Sequence, residues 1–283
     1  MIKFNQTFFL SIVAVLLLLN HGCGSKAKKE SSTDSLANES ILSKENNDEQ
    51  NTPEDKLKKI EDQNKKYKEL TFSIIAKDDT AVEKIASQLL TLNVSDVKTL
   101  NAIGLYHASR GRFALAEMIL NKALKLNDKT EVIYSSLGWL QFQKGNKRDG
   151  IRFYKKSLEI NPDYLTSLIN LGSYFAETKD YGNARYLLET AYKKSPTNLS
   201  LLNNYAVTLM ALGEQADDIF EAGLKLNSTG TANVDFLINY SIYLIRIKKN
   251  YVKGKEILNK INFIGAATDR KNVILNLEES IKR

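Results

Sequence analysis

The stretch Glu131–Tyr164, EVIYSSLGWLQFQKGNKRDGIRFYKKSLEINPDY, repeats its landmarks before and after itself at a fixed interval. Tyr134, Leu137 and Gly138 come early, Gly145 divides two halves, and Pro162 stands near the end. Thirty-four residues earlier the same roles fall to Leu100, Ile103, Gly104, Gly111 and Asp128. Thirty-four residues later they fall to Leu168, Leu171, Gly172, Lys179 and Pro196. The second halves repeat as well: Ala116, Leu120 and Ala123, then Gly150, Tyr154 and Ser157, then Ala184, Leu188 and Ala191. A period of this length marks a helix–turn–helix solenoid. Glycine within a helix costs about 1 kcal/mol relative to alanine, so Gly104, Gly138 and Gly172 imply close approach of a paired helix. Pro162 and Pro196 each stop one helix before the next begins.

These landmarks resemble the tetratricopeptide repeat (TPR) family, whose pattern asks for a large residue, Leu-Gly, an aromatic, and later small residues and Pro. The resemblance implies an all-α solenoid, a right-handed superhelix of antiparallel helix pairs, with repeats at 97–130, 131–164, 165–198, 199–232 and 233–261. The fourth repeat loses two residues after Gly213, so that Ala216 and Phe220 stand where 218 and 222 are expected. The fifth, through Asn239, Tyr240, Leu244, Gly254 and Leu258, carries a slip of one residue. Residues 54–96 read as a degenerate leading helix pair, with a one-sided apolar pattern at Val82, Ile85, Ala86, Leu89 and Leu90. Residues 262–283 read as a capping helix, with Val273, Leu275, Leu277 and Ile281 among charges.

The chain has 283 residues, 43% hydrophobic, and a net charge of +7 distributed over Lys/Glu-rich helix faces. A nucleic-acid interface gathers its charge on one face beside stacking aromatics, and no such cluster occurs, so no nucleic-acid partner is expected. His107 is the only histidine after residue 22 and falls at a core-facing repeat position. With one cysteine in the chain, neither a zinc site nor a Cys–His nucleophile can be assembled. Asp78-Asp79 and Asp217-Asp218 fall at helix starts, where carboxylates favour the helix dipole. No catalytic residues, metal site or cofactor are expected, and the chain reads as a non-enzyme.

The first residues carry a separate message. Lys3 precedes the apolar run Phe8–Leu19, which is too short to cross about 30 Å of hydrocarbon at 1.5 Å per residue. Residues 1–22 therefore read as a signal peptide. Cys23 follows directly and resembles the lipidation site of bacterial lipoproteins, with Asn20 where that pattern places Leu. The resemblance implies acyl chains such as palmitate on Cys23 and a membrane anchor. Gly24 stands where an inner-membrane retention Asp would, which favours the periplasmic face of the bacterial outer membrane. Residues 23–53, rich in Ser, Asn, Asp, Glu and Lys, read as a disordered tether.

In the family the first helix of each repeat lines a concave surface that holds a protein or peptide partner. Carried onto this sequence, the partner-binding groove comprises Asn101, Leu105, Ser135, Trp139, Phe142, Ile169, Asn170, Asn203, Asn204, Val207, Ile238, Asn239 and Ile242. Trp139, the sole tryptophan, reads either as a groove anchor or as a filler against the neighbouring repeat. Asn170, Asn204 and Asn239 share a repeat position; their amides suit either a peptide backbone or hydrogen bonds between helices. The Lys and Asn that grip a C-terminal carboxylate in chaperone-binding relatives are missing. Anchor, tether and five repeats in this order resemble the type IV pilus pilotin lipoproteins of the PilF/PilW type. That layout implies an adaptor supporting assembly of an outer-membrane machine such as a secretin. Adaptors of gliding-motility and periplasmic protease complexes share it, and a self-associating scaffold, a homo-oligomer, is the alternative.

Overall fold

The structure is a computed structural model and describes residues 52–227, 233–264 and 268–282. The expected signal peptide and Cys23 lie outside the described residues, as does the tether up to residue 51. The chain divides into two compact units, with the division between Thr99 and Leu100.

The first unit holds α1 (Pro53–Ala76) and α2 (Asp79–Leu92). Thr52 and Asp55 form a capping box at the start of α1, and Pro53 occupies its first turn, where a missing N–H is harmless. Leu70, Ile74, Val82, Ala86 and Leu89 form the buried seam of this hairpin. Asp96 caps the next helix through the Thr99 backbone N–H, 3.1 Å away, and accepts a 2.5 Å hydrogen bond from the Tyr67 hydroxyl. Burial and the Asp96 carboxylate together push the Tyr67 phenol up to about 12. The ammonium of Lys98 lies 3.9 Å over the same ring.

In the second unit the helices alternate regularly. They are α3 (Val97–Ser109, whose first turn belongs to the first unit), α4 (Phe113–Leu126), α5 (Glu131–Gln143), α6 (Lys147–Ile160), α7 (Leu165–Glu177), α8 (Tyr181–Lys194) and α9 (Leu199–Leu212). They are followed by α10 (Asp217–Asn227), α11 (Val234–Ile242), a π-helical turn (Tyr243–Ile247), α12 (Tyr251–Ile264) and α13 (Thr268–Lys282). Helix α12 runs through residue 261, and α13 lies within residues 262–283. Every pair turns on a left-handed residue: Lys77, Gly111, Gly145, Lys179, Gly213 and Lys249 all have positive φ. The first five recur every 34 residues, so the turn preserves the period even where lysine replaces glycine. Asn93, Asn127 and Asn161 repeat at the same interval. Each side-chain oxygen accepts from the backbone two residues on, at 3.0–3.1 Å, and closes the link to the next repeat.

The small residues perform the close packing expected of them. A Cβ on Gly104, Gly138 or Gly172 would stand 2.8 Å from Leu120, Tyr154 or Leu188, each on the paired helix. Other close approaches have the opposite sense. Gly150 on α6 receives Phe142, Gly223 on α10 receives the ring of Phe236, and Gly254 on α12 receives Ile245, so here glycine stands on the second helix and bulk on the first. Phe220 completes that core, stacked on Tyr240 with ring centroids 4.9 Å apart and tilted against Tyr243 at 5.1 Å.

The slip expected in the fifth repeat has a structural form. Eight residues separate Ile103 from Gly111, Leu137 from Gly145, Leu171 from Lys179 and Tyr205 from Gly213, but nine separate Tyr240 from Lys249. The π-helical turn takes up the extra residue, with the Lys248 N–H bonded to the Tyr243 carbonyl five residues back at 3.0 Å.

Candidate partner-binding wall

First and second helices differ in what they present. Helix α6, a second helix, is amphipathic, with Gly150, Tyr154 and Ser157 buried on one stripe and seven charged residues elsewhere. Helix α9, a first helix, has no charged residue and buries an unbroken run from Leu201 to Met210. Helices α5 and α7 likewise hold one charged residue each, Glu131 and Glu177, at opposite ends. A helix apolar on all sides is a helix packed on several sides. Accordingly each first helix touches its own partner and also the first helix of the next repeat, α5 with α7, α7 with α9 and α9 with α11. Four first helices side by side make a continuous wall with no charge between the helix ends.

The residues expected to line a groove lie on first helices, Asn101 and Leu105 on α3 and the others on these four, and all but one are buried. Asn101, Leu105, Ser135, Trp139, Ile169, Asn170, Asn203, Asn204, Val207, Ile238, Asn239 and Ile242 each expose 9% or less of their surface. Phe142 is half-buried, and its ring is a packing element. It fills the space over Gly150, where a Cβ would stand 2.3 Å away, and lies 5.2 Å from Tyr174 and 5.5 Å from Tyr154. Trp139, with 5% of its surface exposed, holds its indole out of water.

Of the two readings of the asparagines, the structure gives hydrogen bonds between helices. The Asn170 amide donates to the Tyr154 hydroxyl at 2.8 Å, and Asn204 donates to Ser173 Oγ at 2.7 Å. Asn239 donates to Asn203 Oδ1 at 2.9 Å, and Asn203 donates to Asn204 Oδ1 at 3.2 Å. One polar thread thus stitches α11 to α9 and α9 to α7. Burial drives the Tyr154 phenol far above its ordinary range, so it stays neutral beside Asn170. Two further buried acceptors, Asn101 Oδ1 and Ser135 Oγ, have no hydrogen-bond partner among the described residues. They occupy the same position of successive repeats, 34 residues apart.

A second set of contacts had no signature in the periodic pattern. Tyr243 donates to Asp217 Oδ2 at 2.6 Å and accepts from the Ala216 N–H at 3.1 Å, while Lys248 reaches the same carboxylate at 3.2 Å. Four residues along α10, Glu221 receives both Tyr240 and Lys253. Asp235 holds Arg270 of α13 by two parallel bonds of 2.6 and 2.9 Å. A Tyr or Arg set opposite an i, i+4 acidic pair is the only sequence hint of such links.

The family pattern described as tetratricopeptide repeat matches residues 97–130 and 132–164. This chain carries tetratricopeptide repeats. The repeats occupy those residues, and solved structures similar to the chain include PilF and PilW. PilF of Pseudomonas aeruginosa has a TM-score of 0.58 and 19% identity, covering 66% of this chain and 84% of that one. PilW, described as a widely conserved type IV pilus biogenesis factor, has a TM-score of 0.60 and 16% identity, covering 75% of this chain and 98% of that one. At these identities the likeness is one of fold. The protein ycf37 of Pyropia yezoensis is 35% identical over 57 residues, which are 20% of this chain and 32% of ycf37. This TPR chain therefore matches about a third of that relative's length.

Proposed function

We propose that this chain is a lipid-anchored TPR adaptor. It is held by acyl chains on Cys23 at the periplasmic face of the outer membrane and binds a protein partner along the wall of first helices. By binding that partner it supports assembly of an outer-membrane machine such as a type IV pilus secretin. The observation that carries the reading is the uncharged wall, four first helices side by side. An uncharged surface favours an apolar polypeptide over an acidic or basic one, because no charge has to be desolvated or matched. The fold likeness to PilF and PilW supports the choice of machine. Fold alone is an analogy for function.

Capture of the full chain from detergent-solubilised membranes, read by mass spectrometry, tests this. Recovery of a secretin is expected; recovery of a protease complex instead would redirect the adaptor to another machine, and recovery of no protein would contradict it. Replacing Cys23 with Ser should move the chain from the membrane to the soluble fraction, and continued membrane association would defeat the anchor.

A further inference from the structure

Helix α1 is longer than the helix that packs on it. Its 24 residues span about 36 Å, whereas the 14 of α2 span about 21 Å. Toward α2 it buries Leu70 and Ile74; elsewhere Leu57, Ile60, Phe72 and Ile75 stand 61%, 55%, 68% and 46% exposed. At about 100° per residue these four fall within a third of the helix circumference. They form two apolar pairs on one face, with Glu61, Asn64 and Lys68 between them. A helix without tertiary packing is marginal in water, so these exposed pairs call for a cover.

The spacing names the cover. Leu57 and Ile60 stand three apart, as do Phe72 and Ile75, and the two pairs mirror each other about position 66. An antiparallel second copy with position 66 opposite position 66 therefore sets Leu57 against Ile75 and Ile60 against Phe72 at both ends. The same register sets Asn64 against Lys68 and brings Lys68 within a turn of Glu61. A parallel pairing would set Lys68 on Lys68 and Glu61 on Glu61. Apolar match and charge match agree on one arrangement, and a patch complementary to itself is what a two-fold pair requires.

We propose that α1 pairs antiparallel with α1 of a second copy of this chain through Leu57, Ile60, Phe72 and Ile75. The proposal is independent of the wall and of its partner. Sedimentation equilibrium of the full chain in density-matched detergent, at tens of micromolar, should give twice the chain mass. The variant carrying Ile60→Asp and Phe72→Asp should halve it while keeping its helical circular dichroism. A wild-type monomer, or a dimer that survives both substitutions, overturns the proposal. Should the double variant lose its helicity, a second test remains. Chains carrying Asn64→Cys and chains carrying Lys68→Cys, both with Cys23→Ser, are mixed and oxidised. A disulfide between the two variants is expected; disulfides only within one variant, or none, overturn the antiparallel pair.

Discussion

First and second helices of the same repeat are built by opposite rules. In α9 every residue from Leu201 to Met210 is buried, including Asn203, Asn204 and Thr208. In α8, one repeat earlier, only Ala184, Leu187, Leu188 and Ala191 are buried and Tyr186 stands 71% exposed. A second helix needs one apolar stripe because it packs on one side. A first helix touches its own partner and its neighbours on both sides, so even its polar residues must find partners within the stack. The difference teaches where a change of sequence is tolerated and where it is not.

The largest effect should come from charging a first helix. Val207→Asp places a carboxylate at a position with no exposure and should destabilise the second unit by about 4 kcal/mol or more. Lys155→Ala on the exposed side of α6 should stay within about 0.5 kcal/mol. Urea unfolding followed by circular dichroism compares the two, and equal losses would erase the distinction.

Glycine gives a smaller contrast of opposite sign. Gly138→Ala on α5 drives a methyl to 2.8 Å from the Tyr154 ring and should cost about 1–3 kcal/mol. Gly182→Ala on α8 meets no atom within 4 Å and should stabilise by about 0.5–1 kcal/mol. Thermal unfolding of both variants reads the signs, and a stabilised Gly138→Ala would refute the close approach.

The smallest effect sharpens the comparison where the two helix types are tied by charge. Tyr240 on α11 bonds Glu221 on α10, and burial followed by that carboxylate raises its phenol to about 12. A group that folding holds protonated contributes fully below its unfolded pKa of about 10, and the contribution fades as pH rises through about 12. The melting temperature should therefore fall between pH 10 and 12, and fall less in Tyr240→Phe. An identical decline in both proteins would remove the link.

How far these rules were legible in the sequence depended on period. Gly104, Gly138 and Gly172, with Leu120, Tyr154 and Leu188 sixteen residues on, announced the helix pairs because close approach has a residue signature. The left-handed turns at Lys77 and Lys249 were hidden, since lysine carries no turn signature and only the spacing to Gly111 betrays the first. The slip in the fifth repeat was visible as a number, but its form, a π-helical turn at Tyr243–Ile247, depends on backbone hydrogen bonds that no residue type dictates. The expected groove positions fall on first helices, where all but Phe142 are buried. Periodicity gives the side of a helix and not what meets it there, which is why the asparagine thread and the packing role of Phe142 emerged only from the structure.

Photo-crosslinking in living cells tests the central claim most directly. A benzoyl-phenylalanine introduced at Gln143, exposed at the end of the wall helix α5, and separately at Tyr186 on a second helix, reports which side meets another protein. Irradiation should give a heavier adduct from position 143 and none from position 186. Adducts from position 186 alone would contradict the wall as the partner's seat.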